Sequence, residues 1–168
     1  MHILIIGSSA LPRGVLIDRI LAALEPRPRL YGYRSVKEEA DGTGRAPIYL
    51  YPVEGERRRG QDNLLGWCRE KQSQARPEAF ERGACLIEAA EPDGLLVMDE
   101  IGPMESGSPR FCGAVLRALD SRVPILASVR DKDTPFLRAV RQHPSARCLW
   151  MAENNSDALF REALELLK

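Results

Sequence analysis

Long apolar runs are missing from this sequence: none approaches the length of a bilayer-spanning helix, so no membrane partner is expected. Net charge is missing too. Twenty-four basic residues balance 24 acidic ones, so no strong field is present to draw in nucleic acid. Cysteine pairs at metal-site or redox spacing are absent; Cys68, Cys85, Cys112 and Cys148 are scattered. Cys85, Cys112 and Cys148 fall in apolar periodic segments, where buried free thiols are expected. Histidine is scarce, and neither His2 nor His143 has a metal-ligating neighbour in sequence. The start, Met1-His2-Ile3-Leu4-Ile5-Ile6-Gly7, has no basic region and no small-residue cleavage site, so it reads as a strand and a cytoplasmic location is expected.

What is present is an ordinary globular balance: 44% hydrophobic and 29% charged residues. The length suits a single domain over residues 1–168. Ile3–Ile6 is a short continuous apolar run, as in a parallel strand buried on both faces. Leu16, Ile17, Ile20, Leu21 and Leu24 then repeat at helical spacing until Pro26 and Pro28. Strands are expected at Leu30–Tyr33 and Pro47–Val53, with a hairpin turn around Asp41-Gly42. Residues 61–74 carry a weak signal. Beyond Pro77 the pattern alternates helix and strand: helix to Ala90, strand Leu95–Met98, helix Phe111–Leu119, strand Pro124–Ser128, helix Pro135–Val140, strand Arg147–Met151 and helix Asp157–Leu167. Alternation of this kind predicts parallel βαβ units with helices on both faces of one sheet. Ligands of such sheets bind at the carboxyl ends of the strands.

Three strand ends therefore carry the chemistry. Leu95–Met98 runs into Asp99-Glu100, a Walker B pattern. A first carboxylate there is placed to hold Mg²⁺ through hard oxygen, and a second to polarise an attacking water. The same pair also suits an exposed turn or a helix cap. The first strand end should carry a phosphate loop, whose G-x-x-x-x-G-K-[ST] form cradles phosphates with backbone amides. Here the stretch is Gly7-Ser8-Ser9-Ala10-Leu11-Pro12-Arg13-Gly14. Pro12 removes an amide donor, Arg13 replaces the lysine, and Gly14 deletes the metal-binding hydroxyl. Ser8 or Ser9 offers a hydroxyl from another position, and the helix start at Gly14 still favours an anion. After the third strand, Arg130 is placed either to stabilise a transferring phosphoryl group or to pair with Asp131 or Asp133. Arg57-Arg58-Arg59 reads as a solvated loop or, alternatively, a ligand clamp.

The stretch Asp99-Glu100-Ile101-Gly102-Pro103-Met104-Glu105 is more specific than a Walker B pattern. It resembles the Asp-Glu-Ile-Gly-Lys-Met-Glu signature of the thermophile-type and cancer-related nucleoside-triphosphatase family. Gly32-Tyr33-Arg34-Ser35 is similar to that family's Gly-Phe-Tyr-Thr-type segment, Phe80 sits in the helix expected before Walker B, and Arg130–Val140 is similar to the segment after the next strand. Glu153-Asn154-Asn155 resembles its Glu-Asn-Arg motif. The resemblance implies a three-layer, RecA-like P-loop fold with a mainly parallel sheet, an inserted β-hairpin across Tyr33–Val53, and hydrolysis of ATP, GTP and other nucleoside triphosphates with Mg²⁺. By that analogy Asp99 is the metal-side carboxylate and Glu100 the base, with Gly7, Ser8, Ser9, Arg13 and Gly14 at the phosphates. The sequence departs at the phosphate loop, at Pro103 for lysine and at Asn155 for arginine.

Three functional readings follow: a slow nucleoside triphosphatase, a non-hydrolysing nucleotide-binding or protein-interaction module, and a kinase or ligase acting on another phosphorylated substrate. The shape of Gly7–Gly14 discriminates between the first two. An open, anion-ready nest favours nucleotide binding, whereas a loop filled by Leu11 or Arg13 favours the non-hydrolysing module.

Overall fold

A computed structural model of the chain describes residues 1–70 and 72–167. Eight strands form one sheet among the described residues: β1 (His2–Gly7), β2 (Arg29–Lys37), β3 (Arg45–Pro52), β4 (Leu64–Arg69), β5 (Gln72–Ala75), β6 (Gly94–Ile101), β7 (Ile125–Arg130) and β8 (Ala146–Trp150). Five helices accompany them: α1 (Arg13–Ala23), α2 (Phe80–Glu88), α3 (Pro109–Leu119), α4 (Pro135–Arg141) and α5 (Ser156–Leu167). The sheet order is β5-β4-β3-β2-β6-β7-β1-β8. Strands β2, β6, β7, β1 and β8 run parallel to one another, while β3, β4 and β5 add an antiparallel wing beyond β2.

The alternation of side chains along each parallel strand splits the core in two. Ile3 and Ile5 pack with Leu16, Ile17 and Ile20 of α1 and Leu159 of α5 on one face. Leu4 and Ile6 join Phe80, Phe111 and Leu137 from α2, α3 and α4 on the other. The central strands β1, β6 and β7 are buried on both faces, which is why β1 and the start of β6 read as unbroken apolar runs. The result is the expected three-layer α/β arrangement, with the carboxyl ends of β1, β6 and β7 side by side.

The antiparallel part is larger than a hairpin. The turn after β2 is built by Asp41, whose carboxylate accepts the backbone N–H groups of Thr43 and Arg45 at 2.8 and 3.1 Å. Strands β4 and β5 fill most of the stretch whose sequence signal was weak. Two more expectations change. The strand carrying the acids extends through Asp99 and Glu100 to Ile101, so both carboxylates belong to the ladder's last residues. Cys85 is exposed, because it sits on the solvent side of α2, and Cys112 and Cys148 are only half-buried. No helix among the described residues is long and apolar enough to cross a membrane.

Candidate functional site

Strand register assembles the site. Across β2, β6 and β7, Arg34 stands opposite Asp99 and Asp99 opposite Ser128. Across β1 and β7, Gly7 stands opposite Arg130. The loop from Gly7 then brings Arg13 and Gly14, at the start of α1, over the same strand ends.

Arg13 is the centre of the arrangement. Its side chain is 4% exposed. Its Nη1 donates to the Gly7 carbonyl and to the Val129 carbonyl at 3.1 Å, and its Nη2 pairs with Glu100 Oε2 at 2.6 Å. Burial pulls its guanidinium below the ordinary value, and the Glu100 charge pulls it back up. Arg130 grips the other oxygen of Glu100. Glu100 is thus held in a fork between two guanidiniums. The Nε–H groups of Arg13 and Arg130 are buried with no partner.

The phosphate loop has closed on itself. Pro12 adopts φ −81° and ψ 60°, an inverse γ-turn, so the Arg13 amide bonds to the Leu11 carbonyl at 2.9 Å. The Leu11 amide is used by Ser8 at 3.3 Å. A Cβ on Gly7 would stand 3.1 Å from a Leu11 methyl and 3.4 Å from Arg13 Cδ. Leu11 and Arg13 therefore pack directly against Gly7.

Asp99 faces a second cluster. Ser128 Oγ donates to its Oδ1, and Arg34 Nη1 lies 3.5 Å from its Oδ2. The Nη2 of the same guanidinium pairs with Asp18 of α1 at 2.6 Å. Burial raises the Asp99 carboxyl above its ordinary range, and the Ser128 hydrogen bond and Arg34 oppose the shift. A Cβ on Gly14 would stand 3.0 Å from Asp99 Oδ2. A resident Mg²⁺ of the usual P-loop kind is held between a loop hydroxyl and this acid. Gly14 supplies no hydroxyl, and Asp99 is engaged at both oxygens, by Ser128 and by Arg34. The residues as arranged do not fit that ion.

Sequence reasoning named Gly7, Arg13, Gly14, Asp99, Glu100 and Arg130, and these come together. Ser8 and Ser9 lie in the loop, exposed and apart from the cluster's hydrogen bonds. Of the Arg57–Arg59 run, Arg58 and Arg59 pair with Glu56 and Glu38, whereas Arg57 lies over the Tyr51 ring and lines a pocket with Asp18 and Arg34. Four neighbours were missed: Arg34, Ser128, Tyr33 and Glu105. Tyr33 is fully buried and its hydroxyl donates to the Glu100 carbonyl at 3.1 Å. Glu105, 4% exposed, accepts the Gly102 amide at 2.9 Å, and burial pushes its carboxyl up to about 7. The Gly-x-x-Glu spacing of a capping arrangement was the available signal for Glu105.

A mainly parallel sheet with a strand-loop-helix unit beside a strand-end acid pair defines the P-loop nucleoside-triphosphatase class of α/β proteins. The chain belongs to the NTPase family, whose model matches residues 53–164. That stretch includes Asp99, Glu100 and Arg130 and leaves Gly7–Gly14 outside. The chain is 38% identical over 84 residues to the nucleoside-triphosphatase THEP1 of Thermofilum pendens, covering 49% of this chain and 46% of that one. To its counterpart in Thermotoga petrophila it is 30% identical over 89 residues, 52% of this chain and 50% of that one. The chain thus spans about half the length of the curated relatives it matches. Whole-chain likeness appears in the fold. The crystal structure of THEP1 from Aquifex aeolicus superimposes with a TM-score of 0.75 at 22% identity, covering 100% of this chain and 99% of that one. The solution structure of a human cancer-related nucleoside triphosphatase gives 0.69 at 20% identity, covering 99% and 97%.

Proposed function

We propose that this chain binds nucleoside triphosphates at the carboxyl ends of β1, β6 and β7 and hydrolyses them slowly to the diphosphate and phosphate. The observation that carries this reading is Glu100 gripped between Arg13 and Arg130, whose Nε–H groups are buried without partners. An internal carboxylate here occupies guanidiniums suited to phosphate oxygens. A triphosphate entering the site exchanges for it. Arg13 and Arg130 then clamp phosphate oxygens, and the released Glu100 is free to take a proton from water as it attacks. The exchange has a cost in broken ion pairs, and the closed loop offers fewer amides than an open nest, so turnover is slow. P-loop nucleoside triphosphatases in general use Mg²⁺; the arrangement around Asp99 gives this ion no ready seat, and no step above depends on it. Nucleoside triphosphate is the expected partner.

A second reading is a non-hydrolysing module. Leu11 and Arg13 packed against Gly7 favour it, because a phosphate cradled by this loop would have to displace them. One experiment separates the two. Phosphate release from ATP and GTP is followed over hours for the wild type and for Glu100→Gln, alongside calorimetry with the same nucleotides. Slow release that disappears in the variant supports hydrolysis. Binding without release, or release unchanged in Glu100→Gln, rejects Glu100-dependent turnover, and absence of binding leaves only an interaction role.

A further inference from the structure

The cation at Asp99 is already present, and it belongs to the protein. Oδ2 of Asp99 is the atom that a Gly14 side chain would meet first, at 3.0 Å from its Cβ position. The same oxygen lies 3.5 Å from Arg34 Nη1. In a P-loop site the divalent ion is shared between the loop hydroxyl and the strand-end acid. Here one of those ligands is missing and a guanidinium attends the other. We propose that Arg34 replaces the divalent ion at this phosphate site, so that the chain takes the phosphate groups of its ligand as the free anion. The inference deepens the nucleotide reading above and rests on it.

Three further observations point the same way. First, Arg34 is placed by the fold and not by chance rotamer: it pairs in register with Asp99, and Asp18 of α1 holds it at 2.6 Å. Its side chain is only 13% exposed. A guanidinium keeps its charge at any physiological pH, unlike a lysine that burial could neutralise. Second, an incoming Mg²⁺ would have to shed water, which it does reluctantly, and approach a fixed positive charge to reach a carboxylate already bonded to Ser128. Third, the charges are already matched: Arg13, Arg34 and Arg130 meet Asp18, Asp99 and Glu100, which leaves no excess carboxylate to hold a metal ion. A site needing a metal would show the reverse, spare carboxylate oxygen around a gap.

The test is titration of wild-type protein with ATP and with pyrophosphate at matched ionic strength, once with Mg²⁺ and once with EDTA. Arg34→Gln and Arg34→Lys are run beside it, each checked by circular dichroism. The wild type is expected to bind with affinities that agree within about twofold in the two buffers. Arg34→Gln is expected to bind about tenfold more weakly in EDTA and to recover when Mg²⁺ fills the vacated place; Arg34→Lys keeps most of the EDTA affinity. A wild type that loses about tenfold or more in EDTA overturns the inference while leaving the nucleotide reading intact. Arg34→Gln that still binds equally in both buffers overturns the role of Arg34. No binding in either buffer overturns the nucleotide reading and this inference together. If Arg34→Gln does not fold, the wild-type comparison decides alone.

Discussion

Glu105→Gln should stabilise the protein in mildly alkaline buffer and leave it almost unchanged in acid. Glu105 is 4% exposed and has no cation bonded to it; its Oε2 accepts the Gly102 amide at 2.9 Å. Burial, above all, carries its carboxyl from an ordinary 4.5 to about 7, with Glu100 pushing the same way and the Gly102 amide and Arg130 resisting. In the unfolded chain the group loses its proton near 4.5, whereas in the folded one it keeps it to about 7. Between those values the folded state binds more protons, so this group's contribution to stability falls as pH rises through the window. Above it the penalty is about 3 kcal/mol. Glutamine keeps an acceptor for the Gly102 amide and has nothing to ionise. The stability difference between variant and wild type should therefore grow from near zero at about pH 4 to about 3 kcal/mol at about pH 8. Urea unfolding at several pH values reads this as a midpoint shift of about 1–2 M at the alkaline end. A difference that stays flat with pH, or shrinks as pH rises, would refute the reasoning.

Other substitutions probe the site and the sheet separately. Arg13→Met leaves Glu100 with one guanidinium and withdraws the donor from the Val129 carbonyl; a loss of about 2–4 kcal/mol is expected, the lower figure reflecting the partial exposure of Glu100. By differential scanning calorimetry that is a fall in Tm of about 5–15 °C, and Arg13→Lys should lose less. Gly32 has φ +98°, and a Cβ there would overlap the Val97 carbonyl oxygen of the neighbouring strand. Gly32→Ala should break the β2–β6 pairing and yield protein without a cooperative unfolding transition, checked by circular dichroism.

How much of this was legible in the sequence depended on range. The parallel strands announced themselves, because Ile3–Ile6 and Leu95–Met98 are buried on both faces and so are continuously apolar. Strand β5, Gln72–Ala75, did not, because it is an edge strand with exposed polar side chains and no apolar pattern to detect. Strand β4 was hidden by its mixed Leu-Leu-Gly-Trp-Cys-Arg content. In the site, Asp99 and Glu100 were found from a local rule, an apolar strand ending in acid. Arg34 and Ser128 acquire their roles only through the register of β2, β6 and β7, a pairing between segments tens of residues apart that no local pattern encodes. The loop substitutions at Pro12, Arg13 and Gly14 were visible in sequence. Their combined effect, an arginine turned inward onto Glu100, needed the geometry.

The central claim is that Glu100 both blocks the phosphate site and serves it as base. Measuring ATP affinity and phosphate release on the same preparations of wild type and Glu100→Gln tests it most directly. Neutralising the carboxylate frees Arg13 and Arg130, so the variant should bind ATP about tenfold more tightly while its phosphate release falls to background. Weaker binding in the variant, or release at the wild-type rate, would contradict the account.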